Sequence, residues 1–374
     1  MEKYSAPITL KKSFTFCPNA FGIDLYRGCD FGCVYCSANK TCYQDIANNN
    51  KQRFRNADIK QIRNMFYTAL ETDTETNDIV IELLRNRIPL HCGGMSDPFQ
   101  KREWKYGITK EFIRISNEYT YPVQFCTKAA ALPIEYWNIL NPKIHAFQVS
   151  IMGWDNEYIK EWESNTFTAS QRLMFVRELR QNGFWCGVRI QPIIDIEQAL
   201  KLVYNIGGDC DYVTIEHFRL PSYLADRVLK KFENNTAFEF GQYNLQAKRS
   251  VKKKNIERII RACNSFGVKV GVGDNDFHYM SQSRCCCGID LIPAFENYLK
   301  YNLTYLVTGD ADIGSLWKFK CDARKYIQEN NSYGKKKIDC EQYVNQYIRQ
   351  HLDYTGQKQS ELSKHLGITK RKLF

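Results

Sequence analysis

The chain has 374 residues, 44% hydrophobic and 25% charged, a soluble globular balance with room for two domains or for one large α/β domain plus an appendage. No run of ~18 apolar residues argues for a membrane span, and the opening MEKYSAPITLKKSFTF lacks the apolar core of a signal peptide, so a cytoplasmic protein is expected. The formal net charge of +11 is uneven, with 13 Lys/Arg against 6 Asp/Glu from Ser315 to Phe374 and 39 against 35 elsewhere, which fits a polyanion such as nucleic acid and equally a solvated basic face.

Seven short apolar runs read as buried strands. In chain order they are FGIDLY (Phe21–Tyr26), IPLHCGG (Ile88–Gly94), PVQFCTK (Pro122–Lys128), HAFQVSI (His145–Ile151), CGVRIQPII (Cys186–Ile194), YVTIEHF (Tyr212–Phe218) and VKVGVGD (Val268–Asp274). Helical spacing of apolar residues falls between them, at Ala57–Glu71, Lys110–Tyr119, Ser170–Gly183 and Val251–Gly267, the third ending on a capping glycine. Such β-α alternation predicts an α/β fold with right-handed crossovers and a parallel sheet. No Gly-rich dinucleotide loop follows the first strand, which favours a partial TIM-like barrel with its chemistry at the C-terminal strand ends. The repeating core, residues 1–293, ends near Pro293. Residues 294–374 read as a basic helical C-terminal extension, broken at NNSYGKKK (Asn330–Lys337). Its last stretch, Gln359–Phe374, resembles half of a helix-turn-helix but stops short of a recognition helix, so a plain helical cap is expected.

Fifteen cysteines in a reducing compartment point to metal ligation or buried thiols. Three of them, Cys29, Cys33 and Cys36, stand in GIDLYRGCDFGCVYCSA directly after the first strand. Thiolates are the usual ligands of iron–sulfur clusters, and a cubane with three protein ligands leaves one iron open to a small molecule. Gly28 and Gly32 let the backbone fold tightly and turn amides toward the sulfurs. Two alternatives remain on this loop alone: a structural zinc site with Cys42 or Cys17 as fourth ligand, and a fully ligated electron-transfer cluster using Cys42.

The C-x3-C-x-aromatic-C pattern, with Tyr35 at the aromatic position, resembles the signature of the radical SAM (S-adenosylmethionine) superfamily. LHCGGMSDPFQKRE (Leu90–Glu103) is similar to the second-strand segment of its spore-photoproduct-lyase-like, or DNA-repair-photolyase-like, branch. YRGC (Tyr26–Cys29), CTKAAAL (Cys126–Leu132), VSI (Val149–Ile151) and VRIQPII (Val188–Ile194) look similar too, so the resemblance runs from about Phe14 to Pro293. It implies a [4Fe-4S] cluster on Cys29, Cys33 and Cys36, with S-adenosylmethionine on the open iron and Tyr35 near the adenine. Gly93 and Gly94 would meet the methionyl amino group, and Ser96 and Asp97 would bind the cofactor or order the strand end. Ser150 would contact its ribose or carboxylate. Arg189 and Gln191, one residue apart on a strand, point the same way; the anion that buried Arg189 requires is either the cofactor carboxylate or Glu216.

The activity implied is reductive cleavage of S-adenosylmethionine to methionine and a 5′-deoxyadenosyl radical, with electrons from a donor such as a flavodoxin or ferredoxin. Nucleic acid is the implied substrate, since spore lyases in this branch split a thymine dimer with a cysteine as hydrogen donor. Cys92 is the candidate donor, although it stands four and five residues before Ser96 and Asp97 rather than immediately before them; an ordinary buried thiol is the other reading. A radical SAM enzyme acting on a peptide or small metabolite, and a non-catalytic zinc or iron–sulfur protein that binds nucleic acid, are the rival readings. GVGDNDFHYMSQSRCCCGID (Gly271–Asp290) places Asp274, Asn275, Asp276 and His278 near the barrel mouth. Adjacent side chains diverge, so Cys285, Cys286 and Cys287 are not expected to share one metal. Two of them with His278 and Cys263 make a possible zinc or auxiliary-cluster set, and plain thiols are the simpler expectation.

Overall fold

Seven strands lie side by side in chain order and run parallel: β1 (Phe21–Ile23), β2 (Leu90–Cys92), β3 (Val123–Thr127), β4 (His145–Ser150), β5 (Cys186–Ile193), β6 (Tyr212–His217) and β7 (Val270–Val272). An eighth, Ile8–Leu10, pairs antiparallel with β1 at the edge. The computed structural model describes residues 3–295 apart from 5–6, 11–18, 20, 37, 39–53, 77, 223–227, 233–234, 242–243, 284 and 294. Cys17, Cys42 and, but for Phe295, the basic C-terminal extension (residues 294–374) lie outside the described residues. The partial TIM-like barrel expected from the alternation is the fold that forms.

Period-two alternation divides each strand between two environments. Phe125, Phe147, Val149, Val188, Ile190, Val213 and Ile215 face the surrounding helices and join one buried core. Rings of Phe99, Phe125 and Phe147 stack within it, 5.5–6.1 Å between centroids. Each ring removed from water contributes roughly 1.5–3 kcal/mol. The intervening positions are polar: Gln124 and Cys126 on β3, Gln148 and Ser150 on β4, Arg189 and Gln191 on β5, Thr214 and Glu216 on β6. They meet each other across the barrel, as where Gln148 Nε2 donates to Thr214 Oγ1 at 2.7 Å.

The helices begin where local chemistry starts them. Thr168 and Gln171 form a reciprocal capping box ahead of Ala169–Gln181, and Gly183 follows its end at φ +82°. Helix Ile196–Ile206, absent from the sequence reading, is capped by the Asp195 carboxylate, which accepts from Glu197 N at 2.8 Å. A small antiparallel sheet of Arg219–Pro221, Asn244–Ala247 and Phe238–Phe240 was also missed. It packs Leu220, Leu245 and Phe238 with Trp162, Phe218 and Phe232 against Val34 and Tyr35, and so walls one side of the cysteine loop.

Candidate active site

The cysteine loop leaves β1 and is held from two sides. Gln100 accepts from Asp30 N at 2.8 Å and donates to Gly28 O at 3.2 Å, while Arg102 binds the Asp30 carboxylate through its Nε at 2.8 Å and its amide at 3.0 Å. Gly28 sits at φ +90°, and a side chain there would run into the Phe54 ring. Buried Glu103 anchors this face by accepting from Tyr26 Oη, from Tyr136 Oη at 2.5 Å, and from the amides of Thr109 and Lys110 at 2.8 and 2.9 Å. The PFQKRE stretch is therefore the brace of the loop. On the other side, Val34 N donates to Trp162 O at 3.0 Å and Tyr35 Oη donates to Glu163.

Glu163 is the centre of a buried ion cluster, with Lys128 Nζ and Arg172 Nη1 each at 2.9 Å. Burial alone pushes its carboxyl up, but the two cations outweigh that and hold it down to about 2. Burial presses Lys128 toward neutrality, and Glu163 with neighbouring Cys33 keeps it charged. Lys128 thus places a positive charge beside the cysteine loop, a role that the CTKAAAL resemblance did not spell out. Burial and the Asp97 charge push the Cys29 sulfur up to about 12 as a bare thiol, against the opposing pull of the Phe31 and Asp97 backbone. Three soft donors on a braced loop, with amides and an ammonium group beside them, form a donor set that fits an iron–sulfur cluster.

Cys29, Cys33 and Cys36 line a recess of about 140 Å³ that adjoins a cavity of about 480 Å³ at the C-terminal strand ends. Cys36, Gly93, Gly94, Cys126, Lys128 and Ser150 line both, so the two spaces meet there. Tyr35, Arg189 and Gln191 line the larger one. Gly93 is at φ +101°, where a Cβ would stand 2.5 Å from Cys126 O. Gly94 has nothing closer than 3.8 Å, so no steric demand of the protein alone accounts for it.

Several sequence candidates have protein partners instead. Ser96 Oγ donates to Tyr26 O at 2.7 Å, and Asp24 accepts from the amides of Met95 and Ser96 at 2.7 and 3.2 Å. Asp97 accepts from Phe99 N, Thr127 Oγ1 and Lys128 N at 2.9, 2.7 and 2.6 Å, which makes it the pin between the ends of β2 and β3. Arg189 pairs with Glu216 at 3.3 Å and donates to Gln191 and to Gln148 (3.2 Å), so Glu216 is the anion it faces. Burial pushes the Glu216 carboxyl up to about 7 against the pull of Arg189. Cys92 lies wholly within the hydrophobic core and does not line the cavity, so it is not carried forward as hydrogen donor. Its neighbour on β2, His91, faces the cavity and lies 3.0 Å from Cys126 Sγ. Cys263 is likewise a core residue and is no partner for the second cysteine group. Asp274 binds His217 at 2.7 Å and Lys252 at 3.5 Å, whereas His278 lines the cavity. The expectation that adjacent cysteines diverge is overturned: the sulfurs of Cys285, Cys286 and Cys287 all lie within 4.8 Å of one another.

No protein-family model and no curated protein sequence matches the chain. Among solved structures, a spore photoproduct lyase variant superposes with a TM-score of 0.50 at 16% identity, covering 66% of this chain and 74% of its own. The chain has the fold of spore photoproduct lyase. Another variant of that lyase, carrying AdoMet and a dinucleoside spore photoproduct, gives 0.49 at 16% over 69% of this chain and 78% of its own. The radical S-adenosylmethionine methyltransferase TsrM from Kitasatospora setae, with cobalamin and a [4Fe-4S] cluster bound, gives 0.43 at 9% over 66% and 50%. Among the described residues, no helix is long and apolar enough to cross a membrane.

Proposed function

We propose that this chain is a radical SAM enzyme whose substrate is nucleic acid. The observation that carries the reading is the junction itself: three thiols on a braced loop line a recess that opens, past Gly94, Lys128 and Ser150, into a polar cavity large enough for a cofactor and part of a substrate. A [4Fe-4S] cluster held by Cys29, Cys33 and Cys36 supplies one-electron reductive cleavage of S-adenosylmethionine. The chain's own residues bind and orient. Lys128, kept charged by Glu163, and Ser150 offer a cation and a hydroxyl to the amino-acid end of the cofactor. Gly94 leaves backbone open to it, and Tyr35, fixed by Glu163, presents its ring to the cavity.

For the substrate, the support is the resemblance of Leu90–Glu103 to the photolyase-like branch, the net charge of +11, and the cations Lys128, Arg189 and Arg219 on the cavity wall. The test is anaerobic purification followed by reduction with S-adenosylmethionine present. Iron, sulfide and release of 5′-deoxyadenosine are expected; a colourless protein that leaves the cofactor intact contradicts the enzyme reading. Binding to thymine-dimer-bearing DNA should be measurable at low salt and fall steeply as salt rises. Absence of binding at low salt contradicts the nucleic-acid reading and leaves the first result standing.

A further inference from the structure

We infer that Cys285, Cys286 and Cys287 form a second metal site, built to take one thiophilic divalent ion, zinc, in the wall of the same cavity. Their sulfurs lie within 4.8 Å of one another, and Cys286 and Cys287 Sγ are 3.9 Å apart. A tetrahedral zinc with sulfurs at about 2.3 Å requires sulfur–sulfur edges of about 3.8 Å. A cubane spreads its thiolates farther, because each binds a different iron. The spacing therefore selects a single ion.

Consecutive side chains converge here because the backbone is fixed from behind. Tyr212 Oη and Ser283 Oγ, 2.6 Å apart with one donating to the other, lie 3.1 and 2.7 Å from Cys285 O, Thr214 Oγ1 donates to Cys286 O at 2.7 Å, and Gln124 Nε2 reaches Cys287 O at 3.5 Å. Gly288 closes the turn at φ +67°, its amide 3.0 Å from Cys285 O, and a Cβ there would stand 2.6 Å from the Tyr212 ring. With the carbonyls anchored to the barrel strands, the thiols are left to face one another. Cys287 N donates to Cys285 Sγ at 3.3 Å, and Arg189 Nη1 lies 3.9 Å from Cys287 Sγ. An amide and a guanidinium beside the sulfurs support thiolate ligands and offset the negative charge of three thiolates on a divalent ion.

Cys286 and Cys287 line the cavity while Cys285 lies beneath them, so the fourth coordination position faces the cavity and is filled by water or a substrate donor atom. Each thiol that binds gives up its proton to solvent, and the ion undergoes no change of oxidation state. This site does not depend on the reading of Cys29, Cys33 and Cys36.

The test uses the full chain, purified anaerobically and incubated with zinc. About one tightly held zinc per chain is expected, with the extended fine structure above the zinc X-ray absorption edge showing three sulfurs at about 2.3 Å. The double variant Cys286→Ser/Cys287→Ser should lose zinc and keep its iron, and Cys33→Ala should lose iron and keep zinc. A wild-type protein that holds no zinc, fine structure without three sulfurs, or zinc undiminished in the double variant overturns the site. The fine-structure measurement on wild-type protein decides the matter even if the double variant does not fold. Because iron and zinc are read separately, failure of this site and failure of the radical SAM reading give different results.

Discussion

Two groups of three cysteines stand at one cavity, the first around a recess that adjoins it and the second in its wall, and they are built in opposite ways. On the loop after β1 the thiols are spaced by three and two residues, and the loop is gripped through its backbone by Gln100 and Trp162 and through the Asp30 carboxylate by Arg102. After β7 the thiols are consecutive, and strand side chains hold their carbonyls so that the sulfurs meet. Spaced thiols can each serve a different iron, whereas converging ones can serve a single ion. Ligand type is the same in both; chain spacing and what anchors the backbone decide the metal each suits.

The most damaging change to this contrast is Cys33→Ala, which should remove iron and abolish cleavage of S-adenosylmethionine while zinc stays; metal analysis of the purified variant checks it. Next comes Glu163→Gln. It leaves Lys128 and Arg172 buried without their anion and should cost about 3–5 kcal/mol in anaerobic denaturant unfolding, because breaking one partner of a buried ion cluster strands the others. The glycine pair gives a smaller and sharper test. Gly93→Ala places a Cβ 2.5 Å from Cys126 O at φ +101° and should destabilise the fold by about 1–3 kcal/mol. Gly94→Ala should leave unfolding unchanged and weaken cofactor binding measured by equilibrium dialysis; unchanged binding would free Gly94 from the ligand role.

A last test lies at the other end of the barrel, where stability is not mixed with function. His145, first residue of β4, accepts from Asn141 N at 3.0 Å through Nδ1, which leaves Nε2 to donate to Ser116 Oγ at 2.9 Å. Burial lowers its pKa from 6.5 to about 3. The folded state therefore binds fewer protons than the unfolded chain as pH falls below 6.5, so stability drops toward acid, by about 2 kcal/mol between about pH 7.5 and pH 5. His145→Gln should flatten that limb in unfolding curves taken across the range.

Much of this was legible in the sequence. All seven barrel strands stood out because each is a short apolar run rich in β-branched residues, and the cysteine loop stood out because its ligands are close in the chain. The brace around it was harder to read. Gln100, Glu103 and Glu163 act across 70 or more residues, as in the Tyr35–Glu163 contact, and no local pattern marks a partner so far away. Helix Ile196–Ile206 carried its signal in plain view, an Asp195 cap before apolar residues at helical spacing, and was overlooked beside the stronger strands. The small sheet of Arg219–Pro221, Asn244–Ala247 and Phe238–Phe240 consists of short, uneven strands whose stability comes from packing on the loop. Convergence of Cys285, Cys286 and Cys287 was misjudged because adjacency alone says that side chains part; the hydroxyls of Tyr212 and Thr214, on a distant strand, reverse that.

The central claim is that Cys29, Cys33 and Cys36 leave one iron of a cubane for S-adenosylmethionine. Electron paramagnetic resonance of the anaerobically reduced protein, recorded with and without that cofactor, tests it most directly. A cluster signal whose shape changes when S-adenosylmethionine is added is the predicted result. A signal indifferent to the cofactor, or none from iron, would contradict the claim.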